Sequence, residues 1–364
     1  MRLRRITLQH FRNIGFADLS LVGAQQFFLG QNAQGKTNLL EAIGFITALR
    51  SFRASDNRLL VAEGQPEAAI GCELEHERVG DTRLVIRLRP GGKEVLCDGE
   101  RVTRVGEYLG RFPTVVFSSQ DQQLIRGAPS GRRRWMDLTL AAMDASYLQV
   151  LQAYHRALAD RNSLLKRGSE LREIEAFERP LAAAAAAIVT RRVEGARVLG
   201  AHVSTAYGQI ARSGEPALMV YEPDAALQTE AEWLERFAKA RSRDSMLKST
   251  STGPHRDDYE LLLSGRPARD FGSEGQQRSL VISLRLAQLA FFRECSGVEP
   301  ILLADDVLGE LDPQRRERFW ASLGNHRQVI ATGTRLPEAD LGAWQVFQVN
   351  AGAFSLAENG VSLG

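Results

Sequence analysis

Of the 364 residues, 44% are hydrophobic and 25% charged, close to the globular average, which excludes a disordered, collagen-like or disulfide-framework chain. The length allows two or three compact units. Lys+Arg total 46 against 44 Asp+Glu, a formal +2, too little to bind a polyanion through bulk charge, so any contact with nucleic acid has to come from a local patch. Lysine occurs only at 36, 93, 166, 239 and 248, so the other 41 basic residues are arginine, a bias that genomic base composition accounts for.

Cys72, Cys97 and Cys295 are far apart, with no Cys-x-x-Cys pair and no Cys/His cluster, so neither a zinc site nor a disulfide frame is expected. The start, Met1 to His10, is charged and alternating rather than apolar, unlike a signal peptide. The longest apolar run, Leu181 to Val189, is flanked by Arg179, Arg191 and Arg192 and falls short of the roughly 20 residues a spanning helix needs. The expectation is a protein of the reducing cytoplasm that does not cross a membrane.

The first hundred residues read as short strands. Leu3, Ile6 and Leu8 mark one, Gln26 to Leu29 is a compact apolar burst, and Thr82 to Arg89 alternates with period two. Gly91-Gly92 and Asp98-Gly99 supply hairpin turns. From about Gly131 to Ala240 the pattern becomes helical, with breaks expected at Gly168, Pro180 and Ser213-Gly214. Two or three helices of about 20–30 residues form an arm there, without room for a long coiled coil, and the alanine tract at 181–189 reads as strong helix former. After Thr252 the signals return to α/β: Tyr259 to Leu263 as a strand, Gln276 to Arg293 as an amphipathic helix, Ile301 to Ala304 and Gln328 to Ala331 as buried strands. The plan is an α/β head of mixed sheets and helices made from residues 1–128 and 245–364, with a helical lobe, 129–244, inserted between them.

Chemistry begins at Gly30-Gln31-Asn32-Ala33-Gln34-Gly35-Lys36-Thr37, which follows the apolar burst and precedes the helical Asn38 to Ile43. Strand, glycine loop and helix in that order form a phosphate cradle, because glycines let successive N–H groups converge at the positive end of a helix. Lys36 is placed for the β and γ phosphates and Thr37 for Mg²⁺. Such a loop needs a metal-positioning carboxylate on a neighbouring strand, and Asp305 ends the 301–304 run. Asp306, one step on and pointing the other way, is the candidate general base for the attacking water. Ser273-Glu274-Gly275-Gln276 opens the 276–293 helix; a hydroxyl, a bare N–H and a helix dipole there suit either an anion or a helix cap.

The set and its order resemble the ATP-binding-cassette ATPases, within them the SMC and Rad50 heads, and most closely the RecF family of bacterial recombinational-repair ATPases. Phe11-Arg12-Asn13, Gly30 to Ile43, Val115 to Ser118, Arg132 to Arg134 with Asp137, Gly253 to Asp258, Ser273 to Arg278 and Asp305-Asp306 match family segments in family order, over nearly the whole chain. The resemblance implies an ABC-type P-loop head that binds ATP with Mg²⁺ through residues 30–37, Arg12, Asn13 and Gln120, with Thr37, Asp305 and Gln120 at the metal. Ser273 to Gln276 would act in trans, in an ATP-dependent homodimer. It implies a weak, DNA-stimulated ATP hydrolase used as a switch in DNA replication, repair, recombination and the SOS response. The dimer would bind duplex DNA and gapped or junction DNA, release it on hydrolysis, and help RecO and RecR place RecA. The setting is the nucleoid-associated cytoplasm.

Several positions depart from the cassette pattern. Gly272 precedes Ser273 where transporters often have Leu, Glu274 stands where Gly is common, and Gly309 replaces the usual Ser of the Gly309-to-Asp312 loop. Ala331-Thr-Gly-Thr334 lacks the switch histidine, leaving Thr332 or Thr334 as weak candidates beside the γ phosphate. Ser118-Ser-Gln120-Asp121 differs from the Pro-Glu form, and Asp306 is one methylene shorter than the transporter Glu, which fits slow hydrolysis. His255 and Arg256 read either as structural hydrogen-bonders or as neighbours of an interface. Arg132, Arg133 and Arg134 are either a solvated helix face or a DNA-phosphate cluster. A transporter's nucleotide-binding subunit is the alternative; it needs a coupling surface and normally the switch histidine. A small-molecule P-loop kinase has no use for Ser273 to Gln276, and a nuclease would need a further acidic cluster.

Overall fold

The computed structural model describes the whole chain except residues 55, 212–213, 308–311, 325–326, 337–342 and 358–364. Two compact units emerge: residues 1–121, 209–211 and 282–364 in one, and 122–208 with 212–281 in the other.

The first unit starts with β1 (Arg2–Phe11), β2 (Ile14–Ser20) and β3 (Gln25–Leu29), then α1 (Lys36–Ala48). β4 (Ala68–His76), β5 (Gly80–Arg89), β6 (Gly92–Cys97) and β7 (Glu100–Arg101) follow, then a short α2 (Val105–Tyr108) and β8 (Thr114–Ser118). β1, β2 and β4 to β7 make a six-stranded antiparallel sheet in the order β2-β1-β4-β5-β6-β7. Asp98 and Gly99, both at positive φ, make the β6–β7 turn that the Asp-Gly pair promised. The inner face of this sheet carries Ile6, Leu8, Ile70, Leu84 and Ile86, all fully buried.

The second unit holds α3 (Gln123–Arg126), α4 (Pro129–Met143), α5 (Ala145–Arg167), α6 (Leu171 onward), β9 (Ala217–Glu222), α7 (Glu230–Leu247), β10 (Asp258–Leu263), β11 (Arg266–Pro267), α8 (Ala268–Phe271) and the first part of α9 (Glu274–Ser296). Gly168 ends α5 in the left-handed conformation, as a glycine C-cap should. Pro180 does not break the chain: α6 runs unbroken from Leu171 to Ala211. A mid-helix proline forfeits one backbone hydrogen bond at about 3 kcal/mol, and here burial of Leu181, Ala182, Ala185, Ile188 and Val189 offsets it. Gly195 marks a close approach within this unit, since a Cβ there would meet Leu140 Cδ2 at 2.6 Å.

The expected helical lobe also contains a strand. β9 pairs antiparallel with β10, Tyr221 opposite Tyr259, in a small β11-β10-β9 sheet. That pairing ties 258–263 to the second unit, so the division falls at 121/122 and 281/282 rather than at 128/129 and 244/245. Buried ion pairs knit the unit. Arg192 reaches Asp137 at 2.8 Å and Asp257 at 2.7 Å, and Arg161 reaches Asp244 at 2.7 Å and Glu178 at 3.0 Å.

Back in the first unit, β12 (Ile301–Asp305), α10 (Pro313–Leu323), β13 (Val329–Gly333), β14 (Gln345–Asn350) and β15 (Ala353–Leu356) complete the fold. The second large sheet has the order β15-β14-β3-β13-β12-β8, parallel from β14 to β8 with β15 antiparallel at one edge. α1 packs against strands of both large sheets. Leu39, Leu40, Ile43, Phe45 and Ile46 are buried around its whole circumference, the pattern of a helix enclosed on every side.

Candidate functional site: a phosphate loop at the ends of parallel strands

The β12 register fixes the site. Asp305 lies opposite Thr332 of β13 on one side and Ser118 of β8 on the other, while Gly333 pairs with Leu29 of β3. Four parallel strands therefore end together, where ligands bind in open α/β sheets. The 30–37 loop leaves β3 at that edge and turns into α1.

Glycine is required at both ends of the loop. A Cβ on Gly30 would lie 2.5 Å from the Val349 carbonyl oxygen, and Gly35 sits at φ +109 with Asn13 3.0 Å from its Cβ position. The β14–β15 turn buttresses the loop: Ala351 N–H donates to Gln34 Oε1 at 2.7 Å and Gly352 N–H to the Gln34 carbonyl at 2.8 Å. Lys36 is buried, and its ammonium donates to the carbonyls of Gly30 and, at 3.2 Å, Gln31. Burial pushes that ammonium below the usual lysine range, countered by Asp306 and then Asp305. Lys36 is thus held inside the cradle it would share with phosphate oxygens.

Thr37 Oγ1 donates to Asp305 Oδ1 at 2.9 Å. Thr332 Oγ1 donates to the same oxygen at 2.9 Å and accepts the Asp306 N–H at 3.1 Å. Thr332 is therefore a support of the acidic pair, while Thr334 is exposed. Desolvation raises the Asp305 carboxyl above the ordinary range; the Thr37 and Thr332 hydroxyls pull it back, Asp306 adds to the rise, and the Arg53 guanidinium opposes it. A hydroxyl and a carboxylate 2.9 Å apart offer the hard oxygen donors that Mg²⁺ takes, so the residues fit the metal. Asp306 is exposed at φ 57, a conformation Asp tolerates.

Gln120 is exposed within the one-turn Ser119–Gln122 segment, two residues beyond Ser118. Its neighbour Asp121 anchors that turn, accepting the Ser118 N–H at 3.0 Å and pairing with Arg285 at 2.5 Å. Arg12 and Asn13 form the β1–β2 turn, and Asn13 accepts from Asn38 of α1 at 2.8 Å. Of the Gly309-to-Asp312 segment only Asp312 lies within the described residues; it caps α10 by accepting the Arg315 N–H at 3.0 Å.

Ser273 lies in the second unit. Its Oγ accepts the Gln276 N–H at 3.3 Å while Gln276 Oε1 accepts the Ser273 N–H at 2.7 Å, a reciprocal helix cap. Capping uses one lone pair and leaves the exposed hydroxyl its proton to donate. Glu274 pairs with Arg278 at 2.8 Å, and Gly275 opens the first turn of α9.

The arginine triplet is not one exposed cluster. Arg132 is buried and forks onto Asp258 at 2.7 and 2.8 Å. Arg133 is half-buried and donates to the Asp257 carbonyl at 2.6 Å, so only Arg134 stands exposed. Successive helix positions point 100° apart, which is why three in a row cannot share a face. His255 is a structural hydrogen-bonder, Nδ1 to Tyr154 Oη at 2.6 Å and Nε2 to the Thr250 carbonyl at 3.1 Å. Glu41, which sequence reasoning passed over, is fully buried on α1 and takes both Arg12 donors at 2.8 and 3.0 Å. A lone acid inside Leu39-Leu-Glu-Ala-Ile43 was the available signal, because a buried carboxylate must be paired.

Glycine loop, buried lysine, strand-end carboxylates and a helix-capping Ser-x-Gly-Gln, on mixed sheets with an inserted helical unit, define an ABC-type P-loop ATPase head. Residues 2–344 match the family described as RecF/RecN/SMC N terminal domain. DNA replication and repair protein RecF of a Synechococcus strain is 34% identical over 99% of both chains, and that of Heliobacterium modesticaldum 35% over 98% of this chain and 99% of its own. A solved structure of the recombination mediator protein RecF with ATP, in the RecFOR pathway, is 29% identical with a TM-score of 0.87 over 98% of this chain and 97% of that one. An SMC head domain from Pyrococcus furiosus, 15% identical with a TM-score of 0.53, covers 98% of this chain and 95% of its own and shares the fold. The chain belongs to the RecF family of DNA replication and repair proteins. Among the described residues no helix is long and apolar enough to cross a membrane.

Proposed function

We propose that this chain is an ATP-driven switch in DNA repair. Two copies bind two ATP molecules with Mg²⁺, each copy presenting residues 273–276 to the triphosphate seated on residues 30–37 of the other. The joined pair grips DNA, duplex as well as gaps and single-/double-strand junctions. Slow, DNA-stimulated hydrolysis, with Asp306 taking the proton of the attacking water, lets the DNA go. RecO and RecR are the direct partners, RecA loading the outcome, and the nucleoid-associated cytoplasm the setting. The observation that carries this reading is the Thr37–Asp305 oxygen pair beneath the glycine loop, two hard oxygen donors of the kind that hold a phosphate-bound Mg²⁺. The exposed, helix-capping Ser273 supports the arrangement in trans. Family membership removes the transporter alternative.

Light scattering with and without Mg-ATP tests the proposal, followed by gapped DNA. Doubling of the mass with ATP, lost in Lys36→Ala together with ATP and DNA binding, is the expected result. A monomer at saturating ATP, or full ATP affinity in Lys36→Ala, would sink it.

A further inference from the structure

Asn38 and Glu41 are three residues apart on α1 and so share a face. Between them they hold the β1–β2 turn, whose Asn13 lies against Gly35 of the phosphate loop, and the 51–54 segment that follows α1. Glu41 accepts two hydrogen bonds from Arg12, accepts the Ser51 hydroxyl at 2.5 Å and stands 3.6 Å from the Arg53 guanidinium. Asn38 donates to Asn13 at 2.8 Å and accepts from Arg53 at 3.0 Å. Ser51 in turn accepts the N–H groups of Arg53 at 2.9 Å and Ala54 at 2.8 Å.

Charge makes this more than a brace. Two guanidiniums share one carboxylate, so the group carries a surplus positive charge. The Glu41 side chain is sealed at 0% exposure while those of Arg12 and Arg53 are 22% and 37% exposed, so the surplus faces the open side. Arg12 is held at φ 55, a strained conformation for an arginine that the surrounding bonds must over-determine. Arg53 donates to Asn38, the residue after Thr37, at 3.0 Å, which holds that guanidinium against the first turn of α1 where the phosphate loop ends.

We infer that Glu41 is a positioning residue of the nucleotide site: with Asn38 it sets Arg12 and Arg53 as a rigid pair whose surplus charge meets the anionic chain of a nucleoside triphosphate. The inference rests on the ATP reading above. Ordering two long side chains before the ligand arrives removes that entropy loss from binding, and a forked guanidinium held in place suits phosphate oxygens.

The test titrates fluorescent ATP into wild type, Glu41→Gln, Arg12→Gln, Arg53→Gln and the Glu41→Gln/Arg12→Gln double variant, with steady-state hydrolysis alongside. Expected are an ATP Kd raised about tenfold in Glu41→Gln, KM raised with kcat within about twofold, and a double variant about as weak as the single ones, the non-additivity of residues acting as a unit. Glu41→Gln binding ATP as wild type does, or losses that simply add, overturns the inference. Should Glu41→Gln fail to fold, the two arginine variants decide. Each must weaken ATP several-fold at a temperature where circular dichroism shows the variant folded, Arg12→Gln with a lowered melting temperature because it strands the buried Glu41, and unchanged affinity in both is equally fatal. Failure of wild type to bind ATP, by contrast, is failure of the nucleotide reading itself.

Discussion

Asp306→Asn separates chemistry from binding. Asp306 is exposed, at φ 57, and its only structural bond among those described is the backbone N–H to Thr332 at 3.1 Å. Asparagine enters the left-handed region as readily as aspartate and has the same shape, so the nucleotide-free stability should stay within about 0.5 kcal/mol of wild type, as for other surface changes. A positioned general base contributes about 10²- to 10⁴-fold, or about 3–6 kcal/mol of barrier at about 1.4 kcal/mol per decade. Phosphate release at saturating Mg-ATP should fall by that factor while ATP affinity is kept, because Lys36, Thr37 and Asp305 are untouched. The dimer should outlast its wild-type lifetime in light scattering. Asp306→Ala loses the base as well and adds about 1–2 kcal/mol, since alanine pays for the left-handed backbone, so its melting temperature should drop where that of Asp306→Asn does not. Wild-type turnover in Asp306→Asn would show that the base is elsewhere. A large loss of stability in the same variant would show that the side chain is structural.

Ser273→Arg should block ATP-dependent doubling of mass while leaving ATP binding by the monomer intact; persistence of the dimer in light scattering rejects the trans arrangement. Gly30→Ala should lower stability by about 1–3 kcal/mol, because the new methyl meets the Val349 carbonyl oxygen at 2.5 Å, and weaken ATP binding; an unchanged melting curve contradicts the close approach. Arg132→Ala should cost about 3–5 kcal/mol by stranding the partly buried Asp258, whereas Arg134→Ala should leave the melting temperature alone and reduce the salt slope of DNA binding by about 1. Burial pushes His255 down to about 4 from an ordinary 6.5. The unfolded chain therefore binds the extra proton between those values, and stability present above pH 6.5 should fall by about 3 kcal/mol on going to pH 4; denaturant unfolding of His255→Gln should lack that contribution.

What was legible in the sequence followed from short-range rules. The Gly30-to-Thr37 loop, the apolar runs at 26–29, 301–304 and 328–331 and the Asp98-Gly99 turn carry their conformation in their own residue types, and each stands in the structure within a residue or two. Ser273 was half legible: its residue types suited an anion or a helix cap alike, and the structure shows the cap, through reciprocal bonds with Gln276. β9 was not, because Ala217 to Glu222 becomes a strand only by pairing with β10, 36 residues on at Asp258 and Glu222. Pro180 misled for the same reason: local propensity predicts a stop, and only burial of the following turns sustains α6.

The arginines show where residue type ceases to inform. Arg12, Arg53, Arg132 and Arg134 are the same side chain, and the sequence treats the triplet at 132–134 as one feature. The structure assigns them by partner. Asp258 consumes Arg132, whereas Glu41 is shared by Arg12 and Arg53 and cannot neutralise both. An arginine is free to meet a phosphate only to the extent that no carboxylate already satisfies it, and that carboxylate is usually far off in sequence: 126 residues separate Arg132 from Asp258, 29 separate Arg12 from Glu41. Candidate anion sites are therefore better sought by looking for two guanidiniums on one buried acid than by counting basic runs, and α1, whose face carries that acid one turn after Thr37, is where this chain presents one.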